Sequence, residues 1–169
     1  LQHISARCRD TYSETGPTSN VEMLDGCFWA MRRSSLEAIG FLDGSFPFMG
    51  EDMDWCRRCR GAGWYVAFVP EALVVHTGGA SSASAPPMKF VLQGFRARQM
   101  YFLKHGGRSA YWVCRLTQTL LEVRRLMAWV CLLPFWRGHR AELGRNVQRD
   151  WSALKWLLQR GRAELAAWE

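Results

Sequence analysis

Hydrophobic and polar positions follow two regimes along the chain, and the change falls near residue 85. From Leu1 to Asn20 polar residues dominate and Thr15-Gly16-Pro17 signals a turn, so a loop or edge with little fixed structure is expected. Val21 to Met31 is apolar and aromatic around Gly26 and ends at Arg32-Arg33, the pattern of a buried strand. A short helix is predicted from Ser34, with Ser34 and Glu37 as a capping box, and Gly40 stops it. Phe41 to Gly50 reads as a loop that delivers Glu51-Asp52-Met53-Asp54 to the start of a helix ending at Gly61 or Gly63. Acids suit a first helical turn because the unpaired N–H groups there leave partial positive charge. Trp64 to Val69 and Leu73 to His76 are predicted as short strands divided by Pro70, and Thr77 to Pro87 as a flexible connection.

Beyond Pro87 the period becomes helical, in stretches of about Met88 to His105, Arg108 to Leu133 and Ala141 to Trp168, divided by Gly106-Gly107 and Pro134. In the second stretch Arg115, Gln118, Glu122 and Arg125 form a narrow polar stripe on a helix otherwise carrying Tyr111, Trp112, Leu116, Leu120, Val123, Met127 and Trp129. Such a helix is expected to bury most of its circumference. The longest charge-free apolar run after residue 85 is Leu126 to Trp136, well short of the roughly 20 residues of a spanning helix.

Charge sharpens the division. Residues 1–84 carry 7 basic and 10 acidic side chains, net −3, whereas residues 85–169 carry 15 and 5, net +10. An acidic front half that does chemistry and a basic rear half that meets something anionic is the organisation this favours. The 169 residues suffice for one domain plus an appendage, and nine tryptophans with 49% hydrophobic residues exclude a disordered or collagen-like chain. The six cysteines are scattered through apolar or helical contexts, which suits reduced thiols and a cytoplasmic setting, and no signal-peptide pattern opens at Leu1. Cys56-Arg57-Arg58-Cys59 has the spacing of a zinc or redox pair, but lacks a second pair and is expected to pack two small apolar side chains on a helix.

The informative block is Met23-Leu24-Asp25-Gly26-Cys27-Phe28-Trp29-Ala30-Met31-Arg32-Arg33, followed by Ile39-Gly40-Phe41-Leu42-Asp43 and Phe48-Met49-Gly50-Glu51-Asp52-Met53-Asp54-Trp55-Cys56-Arg57-Arg58. Gly61-Ala62-Gly63-Trp64 and Val69-Pro70-Glu71-Ala72-Leu73-Val74-Val75-His76 complete it. In order and spacing the block, about residues 21 to 82, resembles the second half of the catalytic domain of family-2 inverting glycosyltransferases, especially the rhamnosyltransferase-like bacterial members.

The resemblance implies an α/β fold: residues 21–84 as the C-terminal half of a GT-A nucleotide-diphospho-sugar transferase domain, residues 1–20 as its edge, and residues 85–169 as a basic, mostly α-helical tail. It implies that Asp52 is the catalytic base, that Glu51 beside it helps place the acceptor, and that Gly26 lets backbone approach a sugar. Arg58 matches a substrate-side arginine, and His76 a position that helps hold Mn²⁺ or Mg²⁺ on the donor diphosphate. Asp54 is left as a helix partner for Arg57 or Arg58, since acids in a first turn also serve as dipole partners. Family members carry an N-terminal nucleotide-binding half ending in Asp-x-Asp, which these residues do not supply, so the chain is expected to be the C-terminal part of a longer enzyme, inactive alone, or a truncated remnant that only docks.

The implied partners are a nucleotide-sugar donor and a saccharide or polyprenyl-lipid-linked acceptor in cell-surface polysaccharide synthesis. The basic residues interleaved with Trp112, Trp129, Trp136, Trp151, Trp156 and Trp168 suit an anionic membrane surface, placing the protein peripherally at the inner face of the cell membrane. Packing on a missing half or a second subunit is the plainer alternative. A nucleic-acid partner is disfavoured, because the basic residues sit on strongly apolar helices.

Overall fold

The structure, a computed structural model, describes residues 17–46, 49–74, 87–132 and 140–160. These residues are mostly helical with one two-stranded sheet. The chain divides into two compact units, Leu1–Ala85 and Pro86–Glu169.

In the first unit β1, Ser19–Asn20, pairs antiparallel with β2, Ala67–Phe68, with Ser19 opposite Phe68. The Val21 N–H donates to the Val66 carbonyl at 2.8 Å, extending the ladder by one bond. The strand predicted over Val21 to Met31 does not form: after Val21 the chain loops, and its apolar side chains Val21, Met23, Leu24, Trp29 and Met31 pack from that loop onto a helix. Burial, which the apolar run does specify, is thus met without a ladder. The ordered pair Ser19–Asn20 lies inside the stretch expected to be loose. Trp64 to Val69 shrinks to Ala67–Phe68, Leu73 and Val74 form no strand, and Val75, His76 and the predicted flexible connection as far as Pro86 lie outside the described residues.

Helix α1, Arg33–Ile39, ends at Gly40 as predicted, but it is capped at Arg32 and without a side-chain cap. Instead of a Ser34–Glu37 box, the buried Ser35 Oγ donates to the Arg32 carbonyl at 2.7 Å. Helix α2, Glu51–Gly61, starts from Gly50 at φ 97°, a left-handed conformation that glycine adopts without a Cβ penalty. Its buried side is Asp54, Trp55, Cys56 and Cys59. Trp55, both cysteines and Val66 form the core of this unit, with Leu36, Ile39 and Trp64 packed around them. The CxxC pair therefore serves as two small apolar side chains, and burial pushes both thiols up.

The second unit is a pair of helices. Helix α3, Pro87–Leu132, is two predicted helices merged, with the break at Gly107 (φ 71°, ψ −168°). Helix α4, Arg140–Gln159, packs against α3, with Phe95, Ala153 and Leu157 as the apolar centre. The expectation that the second half of α3 buries most of its circumference is overturned in an instructive way. Three of the four stripe residues lie on the buried side, Arg115, Gln118 and Glu122 at 4%, 5% and 2% exposed, while Arg125 and the apolar Trp112, Val113, Leu116, Leu120, Val123, Met127 and Val130 are solvent-exposed.

The interior polar groups pair with one another. Gln99 Nε2 donates to Gln118 Oε1 at 2.6 Å, Arg115 Nη1 donates to Gln99 Oε1 at 3.1 Å, and Arg115 Nη2 donates to the carbonyls of Trp156 and Leu157. The Trp129 indole donates to Asp150 at 2.8 Å, and Arg149 pairs with the same carboxylate. Glu122 pairs with Arg125 through Oε1 at 2.9 Å, while its Oε2 is buried without a hydrogen-bond partner among the described residues.

Burial pushes the Glu122 carboxyl above the usual range, against the opposing pull of Arg125 and Arg149 and with reinforcement from Asp150. A raised native pKa means that the folded chain holds this proton more tightly than the unfolded one. The contribution of Glu122 to stability is therefore fullest at acid pH and is lost as pH rises through the elevated native value. Glu122→Gln is expected to raise the thermal midpoint at pH 7 relative to the parent and to shrink that gain on acidification toward about pH 4, read by circular dichroism melts.

Candidate active site

Three segments of the first unit meet at the N-terminus of α2. The helix presents Glu51 and Asp52 in its first turn, the loop after β1 brings Gly26 and Trp29, and the segment after α1 brings Leu42. Together with Met31 these residues line a hollow of about 160 Å³.

Asp52 is held by backbone on both sides. Its Oδ1 accepts the Met53 N–H at 2.7 Å and its Oδ2 accepts the Gly26 N–H at 3.3 Å. A Cβ at Gly26 would lie 3.6 Å from Asp52 Cβ, an ordinary contact, so Gly26 is a near neighbour of the carboxylate without being sterically obligatory. Each carboxylate oxygen keeps a lone pair after these bonds. Glu51 differs: its Oε2 is buried and has no hydrogen-bond partner among the described residues. Such an atom costs about 1–3 kcal/mol until something donates to it.

The hollow is braced from behind. Trp29 donates through Nε1 to the Asp25 carbonyl at 3.0 Å, and its ring lies 5.6 Å from that of Trp55. Trp55 donates to the Gly40 carbonyl at 2.9 Å. Arg58 commits all three of its donor nitrogens within the unit: Nε to Asp54 Oδ2, Nη1 to the Ile39 carbonyl and Nη2 to the Phe41 carbonyl, each at 2.8 Å. Asp54 is fully buried, so the helix pairing read from its spacing to Arg58 is present as a buried charge pair. Partial burial and the charges of Asp25 and Asp52 push the Cys27 thiol up, which keeps a neutral thiol beside the carboxylates.

Sequence reasoning thus selects Gly26, Glu51 and Asp52, which the fold brings together, and Arg58, which bonds to Asp54 and to the carbonyls of Ile39 and Phe41 and is not among the residues lining the hollow. It does not select Trp29, Met31 and Leu42 as the apolar wall; the signal available was only their membership of the same motif block. His76 lies outside the described residues.

Residues 13–102 match the family model described as glycosyltransferase like family 2, more than half of the chain. The chain belongs to this glycosyltransferase family. No curated protein and no solved structure shows a significant match. The match takes in every residue of the hollow and, with them, Arg58 and His76, and it runs beyond the motif block into the first part of α3. Glycosyltransfer is the general chemistry that membership brings.

The divalent cation expected with a nucleotide-sugar finds no ready cage here. Among the described residues no three His, Cys, Asp or Glu side chains come together as ligands, and Asp52 already accepts two backbone N–H groups. The described residues therefore do not fit a metal centre of their own.

Arg58→Leu is expected to cost the first unit about 3–5 kcal/mol, because it strands a buried carboxylate and two carbonyls. Arg58→Lys, with one ammonium for three acceptors, should recover only part of that loss; denaturant unfolding of the full chain measures both.

Proposed function

We propose that this glycosyltransferase moves a sugar, with inversion at the anomeric carbon, from a nucleotide-diphosphate donor to a hydroxyl of a saccharide or lipid-linked acceptor in cell-surface polysaccharide synthesis. The observation that carries the reading is the pair Glu51 and Asp52 in one hollow beside Gly26, one carboxylate fixed by backbone and the other with an oxygen left to be satisfied.

In this reading Asp52 is the base. Its two N–H bonds hold the carboxylate still while a free lone pair takes the proton of the acceptor hydroxyl. The acceptor oxygen bonds to the anomeric carbon as the bond from that carbon to the diphosphate oxygen breaks; the proton ends on Asp52 and the electron pair leaves with the nucleoside diphosphate. Glu51 Oε2 accepts a second hydroxyl of the acceptor and so orients it. Trp29, Met31 and Leu42 give the sugar an apolar wall. Arg58 is a positioning residue, holding the segment that carries Leu42.

A divalent cation, Mn²⁺ or Mg²⁺, would neutralise charge on the departing diphosphate, and His76 is the residue of this chain assigned to it. The motif series resembles rhamnosyltransferase-like members, so a nucleotide-diphospho-rhamnose is the first donor to offer, with hexosyl donors beside it.

In the gene product that carries this chain, Asp52→Asn should lower transfer by about 10²–10⁴-fold while donor affinity stays within about twofold, measured as nucleoside diphosphate release and by calorimetry. Retained turnover would remove Asp52 from the role. For His76→Ala the metal concentration giving half-maximal transfer should rise about tenfold or more, and an unchanged titration would return His76 to a structural part.

A further inference from the structure

The second half of α3 turns its polar side inward and its apolar side out. At 100° per residue the exposed side chains Trp112, Val113, Leu116, Leu120, Met127 and Val130 fall on one arc about 100° wide. From Trp112 to Cys131 no polar side chain interrupts that arc, and the exposed Arg124 stands at its edge. The surface continues into a groove of about 290 Å³ lined, among the described residues, by Val123, Leu126, Met127, Val130, Cys131 and Leu154. Leu154 belongs to α4, where exposed Trp151 and Leu158 lie one turn to either side of it.

We infer that this arc and groove are a docking surface for the acyl-chain region of an anionic lipid leaflet. Two observations favour lipid as the occupant. Residues 85–169 carry net +10, so a second copy of this unit would meet strong self-repulsion, whereas acidic headgroups supply the opposite charge. Gln99, Gln118 and Arg115 bond to one another inside the unit, as do Trp129 and Asp150, so the apolar arc is the side of α3 left to meet a surrounding. No helix among the described residues is long and apolar enough to cross a membrane, so the unit lies in the interface, apolar arc down, with arginines at headgroup level.

Neither the surface nor its readouts involve the transfer reaction. The full chain should co-sediment with phosphatidylglycerol–phosphatidylcholine vesicles, bind pure phosphatidylcholine at least about tenfold more weakly, and lose affinity as salt rises. The double substitution Leu116→Glu with Leu120→Glu, both on exposed positions, should weaken vesicle binding at least about tenfold with the helical circular-dichroism signal retained. As a check needing no variant, a photoactivatable group on the acyl chain should label the tryptic peptide spanning residues 116–124. Vesicle binding that is absent, or unaltered by the double substitution, would overturn the inference. So would acyl-chain labelling confined to other peptides, or a dimer in sedimentation equilibrium that the same substitutions dissociate.

Discussion

The first unit depends on one guanidinium. Asp54 is fully buried on α2, a position a carboxylate tolerates only with a charged partner, and Arg58 one turn later supplies it at 2.8 Å. The two remaining donors of Arg58 reach the carbonyls of Ile39 and Phe41. Ile39 is the last residue of α1, and a helix leaves its final carbonyls without intrahelical partners. One planar fork thus neutralises a buried acid, caps one helix and locks it to the next. Trp55, donating to the Gly40 carbonyl between those two contacts, completes the brace.

The hollow inherits its geometry from that brace. Because α2 is fixed against the segment after α1, its first turn presents Glu51 and Asp52 toward the loop carrying Gly26 and Trp29. Within it the two acids are treated differently by the backbone: Asp52 is satisfied and still, Glu51 is left with a buried oxygen that an incoming hydroxyl can satisfy. On the proposed reading, that unmet hydrogen bond would favour hydroxyl-bearing molecules, since an analogue lacking the hydroxyl leaves the penalty in place.

The second unit follows a different rule of stability. Arg115 occupies its centre, bonded to Gln99 and to the carbonyls of Trp156 and Leu157, with its guanidinium 5.5 Å from the Trp156 ring centroid. A polar group drawn into that interior costs free energy without a partner, and Gln99, Gln118, Arg115 and Tyr111 supply one another's. What this leaves outside on the second half of α3 is an apolar side carrying Trp112, Val113, Leu116, Leu120, Met127 and Val130.

The sequence by itself determined the helices, a stop at Gly40, another at Gly61 or Gly63, a break at Gly106-Gly107, a helix partner for Asp54 in Arg57 or Arg58, and the order of motifs that carries the family. These are local matters of period, cap, backbone freedom and i,i+4 reach, each written within a few residues. The tertiary structure alone decided that the apolar run from Val21 to Met31 packs as a loop, since burial can be met by any backbone whose polar groups find partners. It alone placed Gly26 against Asp52 across 26 residues, and gave Arg58 its carbonyl partners 17 and 19 residues away. It also decided which side of α3 faces inward. A helical wheel shows a polar stripe and an apolar arc but carries no label for inside; the choice came from Gln99 and the α4 carbonyls, which only the packed unit brings to Arg115 and Gln118.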